Sequence, residues 1–221
     1  MQLEPAYCPP AYTSPRVLFE DEFLLAIEKP AGLLSVPGRG PDKADCLSAR
    51  VQQIYPDARI VHRLDMETSG LLLFARDEAT QRMLGQLFEQ RKIGKTYIAI
   101  VHGRPANESG LIDVPLIADW PNRPLQKVDL EQGKPSKTGF RVLSHDTERD
   151  QSRLQLEPFT GRSHQLRVHL HYIGHPIVGD RLYCYPDTPR QADRLMLHAT
   201  GLAFTHPETN ESLTISCPAS F

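Results

Sequence analysis

Leu71-Leu72-Leu73-Phe74-Ala75 is a short unbroken apolar run. A run of that length behind turn-forming residues suits a strand buried on both faces. Directly before it stands His62-Arg63-Leu64-Asp65-Met66-Glu67-Thr68-Ser69-Gly70. A carboxylate at the mouth of such a strand is not free to wander. If residues 63–65 are extended, Arg63 and Asp65 point to one face, because strand side chains alternate. The stretch reads as a rigidly mounted carboxylate with a cation beside it. It also reads as a plain turn, since Asp, Ser, Thr and Gly dominate turns for local reasons.

Around this stretch the pattern predicts two short strands at 16–20 and 23–28, stopped by Lys29-Pro30-Ala31-Gly32. Asp45 is placed to cap a short helix over 46–55, ended by Pro56. Asp77 is placed to cap a helix reaching about residue 91, with Thr80, Met83, Leu84, Leu87 and Phe88 as its apolar stripe. From Lys95 onward strands are predicted at 97–101, 111–117, 140–143 and 154–157. Residues 119–137 read as loop. Ser163 is placed to cap a helix to residue 173, which Gly174 and Pro176 end. Residues 177–194 read as irregular, and 195–204 with 212–216 as a closing hairpin. With 19 prolines in 221 residues, the chain fits an α+β fold: a mixed, mostly antiparallel sheet with flanking helices and loops.

Composition excludes some functions. No apolar run approaches the length of about 18 residues that a membrane span needs. The start of the chain lacks a basic segment followed by an apolar one, so no secretory signal is expected. The four cysteines are scattered and form no C-x-x-C pair, which favours a reduced, cytoplasmic protein. The net charge of −2 argues mildly against a polyanion partner, but the charge is unevenly spread. Residues 121–141 hold five basic side chains (Arg123, Lys127, Lys134, Lys137, Arg141) against two acidic ones, and residues 160–194 hold five against three. Local patches of this kind matter more than the total for meeting nucleic acid.

A second polar concentration runs Thr160-Gly161-Arg162-Ser163-His164-Gln165-Leu166-Arg167-Val168-His169. On a helix, Leu166, Leu170 and Ile173 share one face, and His164, Arg167 and His171 another. A helix N-terminus with two arginines nearby is an anion site, for an RNA phosphate or for Asp65. An arginine close to Asp65 would keep it ionised, as a nucleophile or base requires. The same pattern also suits a solvated helix face. The histidines 164, 169, 171, 175, 198 and 206 match no metal-ligand spacing, so no metal is expected. Gly32, Gly38 and Gly40 form no phosphate-binding loop, so no nucleotide cofactor is expected.

His62-Arg63-Leu64-Asp65-x-x-Thr68-Ser69-Gly70 resembles the signature of the RluA family of pseudouridine synthases. Five further segments resemble the family in order and spacing: Glu28-Lys29-Pro30-Ala31-Gly32, Lys95-x-Tyr97-x-Ala99, Gly133-Lys134-Pro135-Ser136-x-Thr138, Gly161-Arg162-x-His164-Gln165-x-Arg167-x-His169, and Leu197-His198-Ala199. The family usually has Asn where this chain has Glu28. Residues 16–221 are expected to form the catalytic domain, behind a flexible tail over 1–15 and without the S4-like RNA-binding domain of longer relatives. The resemblance implies the pseudouridine synthase fold and an enzyme that detaches uracil from its ribose, rotates it and rejoins it through carbon, without metal or cofactor. It implies Asp65 as the catalytic carboxylate, Arg167 paired with it, and Tyr97 against the target base. Arg63 would fill the gap left by the extruded uridine. His62, Arg162, Arg123, Lys127 and Lys134 are the further expected RNA contacts. The short form resembles members that act on a uridine in large-subunit rRNA and one in a tRNA anticodon stem-loop, here as a monomer. An RNA-binding module with the same fold but no turnover, and a hydrolase using the histidines, are the competing readings.

Overall fold

The apolar run becomes a central strand covered on both sides. The computed structural model describes residues 7–188 and 191–221. In order, the elements that build the main sheet are β1 (Arg16–Glu20), β2 (Leu24–Lys29), β3 (Arg59–Ile60), β4 (Ser69–Ala75), β5 (Gly94–His102), β6 (Ser109–Asp113), β9 (Lys137–Asp146), β10 (Gln151–Pro158), β11 (Leu197–Thr205) and β12 (Ser212–Ser216). A separate hairpin pairs β7 (Leu116–Ala118) with β8 (Gln126–Val128). The helices are α1 (Leu47–Gln52), α2 (Glu78–Glu89) and α3 (Gln165–Tyr172).

The sheet runs β1-β2-β4-β11-β5-β10-β9-β6, with β3 on β4 and β12 on β11. Only β4 and β11 are paired in parallel among the described strands. All seven residues of β4 are buried. Alternation sends Leu71, Leu73 and Ala75 into a core with Leu84 of α2, and Leu72 and Phe74 into one with Leu47 and Val51 of α1. A third core joins Ala99, Val101, Leu154 and Leu156 to Leu166 and Leu170 of α3. The hairpin of β7 and β8 docks on α3 through Leu116, Val168 and Tyr183. The sheet is therefore mixed and mostly antiparallel, the expected α+β class.

Several local expectations are corrected. Residues 7–15 have no strand or helix, yet they are not a loose tail. Arg50 donates to the carbonyls of Pro10 and Ala11, and the Tyr7 hydroxyl bridges Asp45 O and Leu34 N. Residues 1–6 of the expected tail lie outside the described residues. Asp45 does not cap α1; Cys46 is the N-cap, and the Asp45 carboxylate instead takes Arg50 at 2.7 Å. The run at 111–117 is two strands, because Pro115 has no N–H for a ladder. At α3 the N-cap is His164, in the left-handed region at φ 54°, with no capping bond of its own. The Gln165 side chain does the local bonding instead, accepting from Thr160 Oγ1 and Arg162 N and donating to Lys137 O and Thr138 Oγ1. Asp77 caps α2 as expected, its carboxylate accepting from Thr80 N at 2.8 Å.

Candidate active site

Asp65 sits on a turn before β4, and its backbone is clamped from three sides. The Asp65 carbonyl accepts from Thr68 N and closes the turn. Ser35 holds Leu64 twice, donating to its carbonyl at 2.7 Å and accepting from its N–H at 3.1 Å. The Met66 carbonyl accepts from Gly32 N at 2.9 Å and from Lys29 Nζ at 2.8 Å. Lys29 is fully buried and also donates to the carbonyls of Pro30 and Leu33. Burial pulls its ammonium down to about 7, against the opposing pull of the Asp65 and Glu67 carboxylates.

Gly70 explains the end of the signature. Its φ is +112°, and a Cβ there would meet the Ala199 carbonyl at 2.2 Å. Only glycine lets β11 approach β4 so closely. Ser69 accepts from Arg194 Nη1 at 2.8 Å and donates to His198 Nδ1 at 2.9 Å. The seat of the turn is thus tied to β11 by backbone proximity and side-chain bonds together.

The Asp65 carboxylate itself makes no hydrogen bond or ion pair among the described residues. It opens onto a cleft of about 670 Å³ whose wall includes Tyr97. Arg63, Arg91, Lys95 and Arg162 line the cleft, with Glu89 the one other acid on its wall. An adjoining recess of about 120 Å³ is lined by Asp65, Tyr97, His164 and Arg167. Burial, with the Asp65 carboxylate adding to it, raises the Tyr97 phenol above its ordinary value. Tyr97 therefore stays protonated and offers a flat ring and one O–H.

Arg167 comes to the site as expected, but its partner is different. Its Nε and Nη2 donate to Asp180 at 2.7 Å each, and Asp65 acts on it only through space. The expected direct Asp65–Arg167 pair is therefore replaced by an Arg167–Asp180 pair. Burial opposes the charge of both members, and their mutual bonds overcome it, raising Arg167 and lowering Asp180. Tyr183 lies over the guanidinium at 5.1 Å. The Tyr183 hydroxyl accepts from Gln126 N of β8 and bonds His164 Nδ1. The hairpin is thereby linked to the recess.

The expected RNA contacts divide. Arg63 and Arg162 are exposed on the cleft wall. His62 also touches the cleft, but its Nε2 accepts from Leu73 N at 3.0 Å and its ring lies on Phe88. Burial drops its pKa to about 3, so it is a neutral anchor for the turn and carries no charge for a phosphate. Arg123, Lys127 and Lys134 are exposed on or beside the β7–β8 hairpin and do not line the cleft. Arg123 stacks on Trp120 with 3.2 Å to the ring centroid, and Lys127 stands 4.0 Å from Asp129. Reasoning from sequence missed Arg91, Lys95 and Asp180. The basic pair Arg91-Lys92 after a helix was a usable signal. Asp180 had none, lying in a stretch without periodicity.

The histidines of the second half have other work. His169 bonds Thr138 and Val114 O. Glu28, His198 and Cys217 bring ligand atoms within 4.8 Å of one another. Both His198 nitrogens are taken, Nδ1 by Ser69 and Nε2 by the Cys217 carbonyl. Burial also pushes the Cys217 thiol up to about 12. The group is a hydrogen-bonded knot whose chemistry does not suit a cation.

A model of the RNA pseudouridylate synthase family matches residues 23–172. The chain belongs to that family. Similar curated members are the dual-specificity RNA pseudouridine synthases RluA of Yersinia pestis, 49% identical over 93% of this chain and 99% of that one, and of Escherichia coli K12, 46% identical over 97% and 98%. Among solved structures, human RNA pseudouridylate synthase domain containing 1 superposes with a TM-score of 0.80 at 28% identity, over 97% of this chain and 87% of that one. The chain is accordingly an RNA pseudouridine synthase, an isomerase.

Proposed function

We propose that this synthase isomerises a hairpin-loop uridine, in large-subunit rRNA, in a tRNA anticodon stem-loop, or in both, with Asp65 as its catalytic carboxylate. The observation that carries the reading is a carboxylate on a clamped turn, without a partner of its own, opening into a cation-rimmed cleft beside Tyr97. The N1–C1′ bond of uridine breaks, a C5–C1′ bond forms, the C5 proton leaves and N1 gains one. The atoms balance without a co-substrate. A stacked base is out of reach, so it is extruded first, at a cost of a few kcal/mol that is least in loops. Tyr97 receives the base face, and exposed Arg63 enters the gap. The two curated relatives carry dual specificity in their names, which supports both substrate classes here.

Arg162 supports the reading from the cleft wall, and the hairpin's Arg123, Lys127 and Lys134 would clamp the stem backbone. Among the described residues no helix is long and apolar enough to cross a membrane, and all four cysteines are free. Free thiols support work in a reducing compartment, the cytoplasm, and a monomer is the simplest state for the reading. The test is tritium release from hairpin RNAs carrying 5-tritiated uridine, one rRNA-derived and one from an anticodon stem-loop. Release from neither overturns the substrate reading.

Replacing Arg123, Lys127 and Lys134 together by Ala should lower RNA affinity and flatten its salt dependence. Each lost phosphate contact removes about 0.7–0.9 from the slope of log affinity against log salt. An unchanged slope in binding titrations between low and moderate salt would take the hairpin out of the interface.

A further inference from the structure

The Arg167–Asp180 pair is buried, with the two side chains 4% and 0% exposed. Removing two charges from water carries a large desolvation penalty, and such pairs seldom outperform packed apolar side chains. Stability is thus a poor reason for the pair. Asp180 is held with unusual care. Gly179, at φ +77°, passes so near the Arg194 carbonyl that a Cβ would meet it at 1.9 Å. Val178 bonds Ile100 O of β5 through its N–H, and its carbonyl accepts from Met196 N. Oδ1 of Asp180 accepts from Leu182 N, Tyr183 N and Arg167 Nη2, and Oδ2 from Arg167 Nε.

Guanidinium and carboxylate groups prefer to meet through two parallel bonds. Asp65 lines the same recess as Arg167, and a full bidentate pair there would occupy both Asp65 oxygens. Asp180 takes that edge of the guanidinium instead. We propose that Asp180 is a positioning residue for the isomerisation: it holds Arg167 so that the cation supports Asp65 from a distance and leaves the Asp65 oxygens free for the nucleoside. The proposal rests on Asp65 being the catalytic carboxylate.

Asp180→Asn is the informative variant. Asn keeps an Oδ1 for Leu182 N, Tyr183 N and Nη2, so the turn survives. Its amide nitrogen faces Arg167 Nε donor to donor, and the guanidinium is released. Single-turnover tritium release at saturating hairpin RNA should fall by about 10²-fold, the scale of a misplaced group. RNA affinity should stay within about threefold, since neither residue is a cleft-rim cation. Arg167→Met alone leaves a buried unpaired carboxylate and lowers Tm; adding Asp180→Asn should recover it. In that double variant the rate should equal that of Arg167→Met, because Asp180 acts only through Arg167. A saturating rate near that of the unaltered enzyme in Asp180→Asn, or rate losses that multiply in the double variant, overturns the proposal while leaving the assignment of Asp65 intact. Turnover by Asp65→Asn overturns the assignment itself, and the proposal with it.

Discussion

Asp65→Asn should lower pseudouridine formation by on the order of 10⁴-fold or more, the range seen when a reacting group is removed. RNA binding should persist and even tighten slightly, since a negative charge leaves a cleft rimmed by Arg63, Arg91, Lys95 and Arg162. The fold gives no reason for loss of stability. The turn is closed by the Asp65 carbonyl and not by its side chain, and Ser35, Gly32 and Lys29 grip the neighbouring backbone. A surface-like change in stability, within about 0.5 kcal/mol, is expected. The measurement pairs single-turnover tritium release with equilibrium RNA binding and a urea titration. A residual rate within tenfold of the unaltered enzyme would remove Asp65 from the chemistry, and a lost urea midpoint would mean that the side chain holds the fold.

Lys29→Met should be costly for the opposite reason, since Lys29 touches no solvent and no cleft surface. Its charged Nζ donates to three backbone carbonyls at 2.6–2.9 Å, and the neutral amine keeps two of those bonds. Methionine fills similar space but donates nothing, and each orphaned buried acceptor costs about 1–3 kcal/mol. A loss of about 3 kcal/mol in urea unfolding is expected, given that Pro30 and Met66 are only partly shielded from water. The rate should fall too, by about 10²-fold, because the Asp65 turn loses one of its clamps. There is also a pH signature. Burial holds Lys29 at about 7 in the folded chain, against about 10.4 unfolded. Between those values the unfolded state binds more protons, so this contribution is complete above the unfolded pKa and is lost as pH falls to about 7. The stability gap between the unaltered chain and Lys29→Met should therefore widen from pH 7 to pH 9. A gap that is constant or narrows with pH would show that Lys29 stays charged in its pocket.

The parts legible in the sequence are those with a local cause. The apolar run at 71–75 announced a doubly covered strand, and Asp77 announced α2 through a capping bond three residues long. The signature residues located Asp65 and, through the resemblance, Tyr97 and Arg167. What was not legible was set by contacts far along the chain. Lys29 belongs to a segment that resembles the family, but nothing local gives it a role, and only folding shows that three carbonyls converge on it. His62 reads as a polar member of the motif, yet the backbone of β4 and the ring of Phe88 make it an anchor. Asp180 lies in a segment whose shape comes from bonds to β5 and to Met196, with no periodicity to betray it. Ser163 looked like the better cap, but the buried Gln165 amide bonds across to β9 and sets the entry to α3 one residue later.

The order of strands has a consequence for synthesis on the ribosome. Asp65 precedes β4 and Tyr97 lies on β5, near one another in sequence. Yet β11, made about a hundred residues later, is the strand that lies between β4 and β5. The two walls of the cleft therefore cannot reach their final spacing until β11 has left the exit tunnel. Early segments have only partial pairing during that interval, which is when exposed strand edges meet other chains. A nascent chain paused before residue 197 should be inactive and protease-sensitive across the apolar stretch 69–75, and both properties should change together once β11 is free to insert.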